Sequence, residues 1–428
     1  MPESTAPVAP NPWRWIPTLY FSQGIPYVVA MTLSVVMYKN LQVSNTDIAL
    51  YTSWLYLPWV IKPLWSPLVD MFRTKRFWIV ALQFVIGVAF ALVALTVPGP
   101  GFFRLTLAVF WLMAFSSATH DIAADGFYLL AMPQHQQAAF VGVRSTFYRL
   151  AMIAGQGGLV YLAGELQQKT GDVTRAWTLV FLLLAGVFVL VAGYHLFALP
   201  RPAGDHAVQR RDNVLSGFGA VFAAFFRKEN IVATLSYLLV YRLAEAQALK
   251  LVTPFLLDGR AVGGLGLTTQ QVGIVYGTVG VIALTCGGIL GGLVIARAGL
   301  KRLLWPMILV MHVPNVVFLL LALTQPGNLV VVGGALVVEQ FAYGFGFTAY
   351  MLYMMMVAEG ENKTAHYAIC TGFMALGMML PGMAAGWIQD HLGYPKFFAW
   401  VLVCTIPSFI ATSRLKVDPA FGRRRPAA

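Results

Sequence analysis

The segment LVDMFRTKR (residues 68–76) is a short basic stretch at the junction of two apolar runs, residues 46–69 and 77–97. Each run is long enough for a membrane-spanning helix, which needs about 20 apolar residues. Short cytoplasmic loops carry an excess of Lys and Arg, so a basic loop between two such helices is typical of the cytoplasmic face. The segment therefore predicts a helical hairpin that crosses a membrane twice.

A similar pattern, ARAGLKR (residues 296–302), ends a later apolar run. Lys75 and Lys301 are 226 residues apart, and the same offset places Phe140 over His366. One offset that aligns separate loops predicts two related halves. Parallel repeats of this kind are known among membrane transporters.

The composition of the whole chain excludes most soluble classes. The 428 residues are 58% hydrophobic and only 11% charged, whereas a soluble domain carries about 25% charged residues. Disorder is excluded by the apolar content. The net charge of +12 is not taken as a sign of nucleic-acid binding, because membrane topology accounts for it. The three cysteines have no metal-ligand spacing, and no metal or cofactor is predicted.

Twelve apolar runs predict an all-α integral membrane protein with two pseudo-symmetric six-helix bundles, residues 1–199 and 230–428. The intervening residues 200–229 form a basic cytoplasmic linker, in which an apolar stretch is expected to lie on the membrane surface. Gly288 and Gly292, like Gly382 and Gly386, predict close helix contacts. The predicted spans are 15–38, 46–69, 77–97, 104–131, 138–164, 176–199, 230–256, 269–296, 303–324, 328–357, 364–389 and 395–413.

The distribution of basic residues sets the expected orientation. With both termini in the cytoplasm, 18 of the 29 Lys and Arg residues fall on inward segments, 6 on outward loops and five within spans. Positive charge collects on the cytoplasmic side of membrane proteins. The split therefore predicts twelve spans with both ends in the cytoplasm.

The segment 68–76 resembles the loop signature of the major facilitator superfamily, although the first glycine of that signature is replaced. More specifically, KPLWSPLVD (62–70), SATHDIAAD (117–125) and YRLAM (148–152) resemble segments of the AmpG-type muropeptide permeases. The resemblance implies the major facilitator fold and a group that also includes acetyl-CoA transporters. It implies transport of muropeptides, acetyl-CoA or siderophore-like cargo across the bacterial inner membrane.

Charged residues inside spans are functional candidates, because each costs at least ~2.5–3.5 kcal/mol on insertion scales. Asp121 and Asp125 in span 4 are four residues apart and share a helix face. Two neighbouring carboxylates in a low dielectric cannot both stay ionised cheaply. Together with Arg144 and Arg149 in span 5 they form the predicted proton-coupling site. The alternative is a set of fixed ion pairs that only joins spans 4 and 5.

A second group is predicted to contact the cargo, since span 7 lines the central cavity in this superfamily and aromatic rings suit sugar cargo. Interface belts and helix packing are the structural alternatives for the tyrosines. The predicted cargo-contacting residues are Gln23, Tyr148, Gln156, Tyr241, Arg242, Glu245, Glu339 and Tyr343.

The basic loop after span 2 is predicted to gate the transport path rather than to bind cargo. Its candidate residues are Asp70, Arg73, Lys75 and Arg76, which lie at the cytoplasmic edge. A contact between the two halves at this loop is the expected role.

These features predict a secondary transporter, not an enzyme, that imports an amino-sugar, muropeptide or similar oligosaccharide by alternating access. Its expected partners are a glycan-derived solute, H⁺ and the lipid bilayer, and it is expected to act as a monomer. An efflux pump for amphipathic compounds, a siderophore or acyl-CoA carrier and a non-transporting receptor are alternatives. A membrane acyltransferase using His120 is a remote one.

Overall fold

The computed structural model describes residues 11–206, 214–360 and 363–422, and within them all regular structure is helical. The α-helices, numbered α1 to α19 in chain order, are Ile16–Val28, Ser34–Asn40, Asn45–Trp54, Leu57–Met71, Lys75–Thr96, Phe102–Ala131, Gln134–Ile153, Val160–Thr170, Val173–Ala198, Val214–Phe226, Ile231–Val240, Leu243–Leu257, Thr269–Val272, Val281–Ala298, Leu300–His312, Val316–Thr324, Leu329–Ala358, Lys363–Val403 and Ile406–Ser413.

These helices follow the predicted spans with ends that differ by a few residues. The long helix α18 is interrupted at Gly393, whose φ of 70° is left-handed, so it holds span 11 and the start of span 12. Eight stretches of the described chain are long and apolar enough to cross a membrane by length and composition. Spans 2, 5 and 7 are absent from that set, and spans 2 and 7 are each divided into two shorter helices.

Several spans change their helical geometry part-way. Wider π-helical turns occupy Val29–Leu33 in span 1, Ala154–Leu159 in span 5 and Gly273–Gly280 in span 8. Such turns are rare and frequently occur at functional sites. In span 7, α11 ends and α12 begins on either side of Tyr241 and Arg242.

The described residues pack into two compact units that are not contiguous in the sequence. The first comprises residues 11–30, 64–152 and 177–206, and the second comprises residues 31–63, 153–176 and those from 214 onward. Aromatic rings fill the core of the first unit, where Trp15 packs edge-on against Phe127 with ring centroids 5.4 Å apart.

The core of the first unit also holds a buried polar network. Gln83 lies at its centre, with its Nε2 3.1 Å from Ser22 Oγ and 3.1 Å from His120 Nε2. On its other side, Gln83 Oε1 is 2.9 Å from Nδ1 of His195, whose Nε2 is 2.9 Å from Thr18 Oγ1. Buried polar groups need such partners, and this network joins α1, α5, α6 and α9.

Small residues allow helices of the second unit to touch along their backbones. A Cβ added at Gly344 of α17 would lie 2.0 Å from the carbonyl oxygen of Leu284 in α14. A Cβ added at Gly386 of α18 would lie 2.1 Å from the carbonyl oxygen of Asn45. The prediction was wrong at Gly292, where an added Cβ meets nothing within 4 Å.

Candidate functional site

The first unit brings Asp125 of α6 and Arg144 of α7 together, with Arg144 Nη2 2.6 Å from Asp125 Oδ1. The guanidinium lies over two aromatic rings, 4.5 Å from the centroid of Tyr20 and 5.5 Å from that of Tyr128. Stacking of this kind stabilises a cation and fixes its plane. The side chains of Arg144 and Asp125 are 32% and 43% exposed, so a ligand or water can reach the pair.

Asp121 lies one helical turn before Asp125, and its Oδ1 accepts a hydrogen bond from Nε2 of Gln23 in α1. Tyr148 of α7 packs against α1, because a Cβ added at Gly24 would lie 3.2 Å from its carbonyl oxygen. Arg149 follows in α7 and is half-buried. Gln23, predicted as a cargo contact, thus lies within the aspartate and arginine cluster.

The predicted gating residues lie where α4 meets α5. Arg73 has a left-handed φ of 64° and places its guanidinium carbon 5.7 Å from the ring centroid of Phe77. The side chain of Asp70 lies outside those that the structure describes.

A carboxylate that the sequence analysis did not single out caps the start of α5. Both oxygens of Asp205 accept backbone hydrogen bonds, from Lys75 N at 2.7 Å and from Arg76 N at 3.0 Å. A carboxylate at this place satisfies free N–H groups and the positive end of the helix dipole. The loop is therefore tied to the start of the linker within its own unit.

The second unit holds most of the predicted cargo contacts around the break in span 7. Arg242 is non-helical, with φ −106° and ψ 20°. It donates a hydrogen bond to the hydroxyl of Tyr343 and lies 4.8 Å from the ring centroid of Phe347. Tyr241 stacks on Tyr350 with centroids 4.7 Å apart and planes inclined by 8°. Discontinuous helices of this kind form binding sites in many transporters.

One turn into α12, Glu245 forms a buried polar cluster with two residues that the sequence analysis missed. Its Oε1 lies 2.8 Å from Nδ1 of His312 and 3.3 Å from Nδ2 of Asn315. Glu245 Oε2, His312 Nε2 and Asn315 Oδ1 are buried without a hydrogen-bond partner. Since such atoms are rare in proteins, the cluster has unused capacity to bind a polar ligand.

Two other predicted cargo contacts have different neighbours from this cluster. Glu339 Oε2 accepts a hydrogen bond from Gln340 Nε2 at 2.8 Å, and both side chains are buried. Gln156 lies in the π-helical turn of span 5, where a Cβ added at Gly277 would lie 2.0 Å from its carbonyl oxygen. The structure does not bring these residues into contact with Glu245.

A second polar network joins helix ends of the second unit on the side that the charge distribution predicts to face outward. Lys39 Nζ lies 2.6 Å from Asp258 Oδ1, and Asp258 Oδ2 accepts a hydrogen bond from the Tyr394 hydroxyl at 2.6 Å. Asn45 donates to Tyr394 at 3.1 Å and to Gln389 Oε1 at 2.7 Å. These contacts connect the ends of spans 1, 2, 7 and 11.

One residue of these polar networks that was not predicted, His312, could have been found from the sequence. His312 is an ionisable residue within the apolar run 303–324, and that placement alone makes it a candidate. Lys39 and Asp258 lie in predicted outward loops, where charge is ordinary. Nothing in the sequence indicated that they pair.

Within the described part of the chain, no group of three or more His, Cys, Asp or Glu side chains could hold a metal ion.

Comparison with known proteins identifies the family. A sequence profile described as Major Facilitator Superfamily matches residues 18–381. The chain belongs to the Major Facilitator Superfamily. It is similar to the anhydromuropeptide permease of Escherichia coli, with 27% identity over 399 residues, which cover 92% of this chain and 77% of that one.

Two solved structures share the fold. The nucleoside transporter NupG matches with a TM-score of 0.70 at 14% identity, covering 94% of this chain and 98% of that one. An inward-facing, unoccupied bacterial homologue of the human lysosomal transporter Spinster matches with a TM-score of 0.69 at 15% identity, covering 93% and 94%.

Membership of the Major Facilitator Superfamily confirms the predicted fold class, with twelve transmembrane helices in two pseudo-symmetric bundles. The protein is a multi-pass secondary transporter of small solutes, not an enzyme. The remote acyltransferase alternative depended on His120, which is 2% exposed and belongs to the buried network around Gln83.

Proposed function

We propose that this transporter imports an amino-sugar, muropeptide or similar oligosaccharide across the bacterial inner membrane, driven by H⁺. The observation that carries the proposal is the half-exposed pair of Asp125 and Arg144 beside Asp121. Charged groups in spans are costly and mark ion and substrate pathways. The glycan part of the proposal is supported by the similarity to the anhydromuropeptide permease.

In this mechanism, a proton binds the aspartates and changes what Arg144 pairs with. When Asp125 is ionised, Arg144 is held at 2.6 Å. When Asp125 is protonated, the attraction weakens and Arg144 can pair with another group, including Asp121 or the cargo. Protonation thus changes the contacts between α6 and α7, and such a two-state contact can bias alternating access.

The polar groups of the second unit supply the proposed cargo contacts. Arg242 lies in the break in span 7 and Glu245 one turn after it, and the neighbouring side chains are those of Tyr241, Tyr343 and His312. Sugars present hydroxyl and amide groups that hydrogen-bond to such side chains, and their apolar ring faces pack on aromatic rings. Four further residues stay proposed contacts with weaker support, namely Gln23, Tyr148, Gln156 and Glu339.

The remaining parts of the proposal concern organisation. Residues 1–199 and 230–428 are the proposed bundles, with residues 200–229 between them in the cytoplasm and both termini on that side. The loop with Asp70, Arg73, Lys75 and Arg76 is the proposed cytoplasmic gate. The protein is proposed to act as a monomer.

The test is uptake of radiolabelled N-acetylglucosamine-containing disaccharide or muropeptide into proteoliposomes with an imposed pH gradient. We expect uptake to increase when the outside is acidic and to lose that dependence in Asp125→Asn. Uptake that ignores both the gradient and the substitution would contradict proton coupling. Outward movement of amphipathic dyes without sugar uptake would instead support the efflux alternative.

A further inference from the structure

Lys250 of α12 is a lysine buried within the second unit, with 5% of its surface exposed. Its Nζ donates a hydrogen bond to Thr52 Oγ1 at 3.0 Å and lies 5.2 Å from the ring centroid of Tyr56. The ion pairs among the described residues include none with Lys250. Among the residues that the structure describes, the buried ammonium therefore has no carboxylate in an ion pair with it.

The hydrogen bond to Thr52 does not balance the positive charge of Lys250. Thr52 Oγ1 already donates its own proton to the carbonyl oxygen of Ile48 at 2.6 Å, so it serves Lys250 only as a neutral acceptor. An ammonium has three N–H donors, and an uncharged donor would satisfy Thr52 equally well. The remaining donors and the charge are available to a ligand.

A second unused donor lies beside Lys250. The hydroxyl of Ser53 is buried without a hydrogen-bond partner. Ser53 and Lys250 pack against the same glycine of α18, since a Cβ added at Gly382 would lie 2.8 Å from Ser53 Oγ and 3.3 Å from Lys250 Cγ. Glycine at position 382 therefore lets α18 approach both side chains closely.

We infer that Lys250 and Ser53 bind a carboxylate of the cargo, an inference that rests on the proposed function and names its substrate class as anionic. An ammonium and a hydroxyl are donors that suit a carboxylate, and these two side chains pack against the same glycine. At 1.5 Å per residue, Lys250 lies about 7.5 Å along α12 from Glu245 and about 12 Å from Asp258. The site is therefore between the polar cluster and the outward network.

The experiment compares two sugars that differ by one carboxylate. N-acetylmuramic acid carries a lactyl ether with a carboxylate, and N-acetylglucosamine lacks it. Binding of each to the full chain in lipid nanodiscs is measured by calorimetry. We expect the wild type to bind the acid about tenfold more tightly, because hydrogen bonds to charged groups are about twice as strong as neutral ones.

Three variants test whether Lys250 and Ser53 cause the preference for the acid. Lys250→Met keeps the apolar stem and is expected to bring the affinity ratio to about one by weakening only the acid. Ser53→Ala should reduce the ratio about threefold. Lys169→Met, which removes a 74% exposed lysine of the same unit, should leave it unchanged. An unchanged ratio in Lys250→Met would overturn the inference and leave the proposed function intact.

Failure of the proposed function has a different signature. If the wild type binds neither sugar, the proposed cargo is wrong, and the melting temperature of the ligand-free protein then tests the inference. A charge kept for ligand binding destabilises the empty protein, so Lys250→Met should melt at a higher temperature than the wild type. A lower melting temperature would assign Lys250 to structure and overturn the inference.

Discussion

The ammonium of Lys39 lies 2.6 Å from the carboxylate of Asp258, and each side chain is 16% exposed. Lys39 also donates to Asn45 Oδ1 at 2.8 Å, and the Tyr394 hydroxyl donates to the other oxygen of Asp258. A partly buried pair with its remaining donors and acceptors satisfied is held more firmly than a surface pair. This network joins the ends of spans 1, 2, 7 and 11 within the second unit.

The Asp258→Asn variant should destabilise the protein by about 1–3 kcal/mol, because Lys39 then keeps its charge without its carboxylate. Asparagine retains an acceptor for Tyr394, so the change isolates the charge. We expect the melting temperature in detergent to fall by several degrees. The double variant Lys39→Asp with Asp258→Lys should recover part of the loss, since it restores opposite charges.

The matched control is the more exposed pair of Lys169 and Glu165, whose side chains are 74% and 31% exposed and whose atoms are 3.5 Å apart. Exposed pairs contribute about 0–1 kcal/mol, so Glu165→Gln should leave the melting temperature almost unchanged. Equal losses in Asp258→Asn and Glu165→Gln would mean that the network adds no particular stability.

The contact between α14 and α17 predicts a large effect of a single methyl group. Gly344→Ala would place its Cβ 2.0 Å from the Leu284 carbonyl oxygen, and a backbone atom cannot move aside as a side chain can. Overpacking costs about 1–3 kcal/mol or more. We expect lower expression and a lower melting temperature, measured by fluorescence-detected gel filtration after heating.

The same helix offers the control. Gly334 of α17 has nothing within 4 Å of an added Cβ, and alanine is the better helix former by about 1 kcal/mol. Gly334→Ala should therefore be neutral or stabilising. A loss as large as that of Gly344→Ala would show that glycine flexibility, not close packing, matters in this helix.

The fold was predictable from the sequence because span length and loop charge are properties of single segments. The pairing of α6 with α7 followed for the same reason, since spans that are adjacent in the chain are usually adjacent in space. The contact of Glu245 with His312 joins spans 7 and 9, and that of Lys39 with Asp258 joins spans 1 and 7. Pattern reasoning within one segment carries no information about such pairs.

The face of a helix that packs on its neighbour was the second feature that could not be predicted from the sequence. The four-residue glycine spacing in span 8 correctly indicated a close contact, but the residues that pack most tightly on α17 are Gly287 and Gly291. They precede the predicted pair by one residue, which is a rotation of about 100° around the helix. Two overlapping glycine pairs cannot be ranked without knowing where the neighbouring helix lies.

Arg144 should not be replaceable by lysine. Lysine can keep an ion pair with Asp125, but it lacks the planar group that stacks on Tyr20 and Tyr128 and the rigid fork of donors that the guanidinium presents. We expect Arg144→Lys to reduce proton-driven uptake about tenfold in proteoliposomes with little change in melting temperature. Arg104→Lys, an exposed residue of α6, is the control. Wild-type uptake in Arg144→Lys would mean that only the charge at this position matters.

Glu245 and His312 should be energetically coupled, because each is buried and lies against the other at 2.8 Å. Removing one partner leaves a buried polar group unsatisfied, whereas removing both can be nearly neutral. Glu245→Leu and His312→Leu are each expected to cost about 2–4 kcal/mol. The double variant should cost less than their sum by about 1–3 kcal/mol.

Glu245→Leu combined with His366→Leu should be additive, because His366 lies instead against the carbonyl oxygen of Val221. Chemical unfolding of the five variants, three single and two double, measures both cycles, and additivity in the first cycle would show that the two side chains act independently.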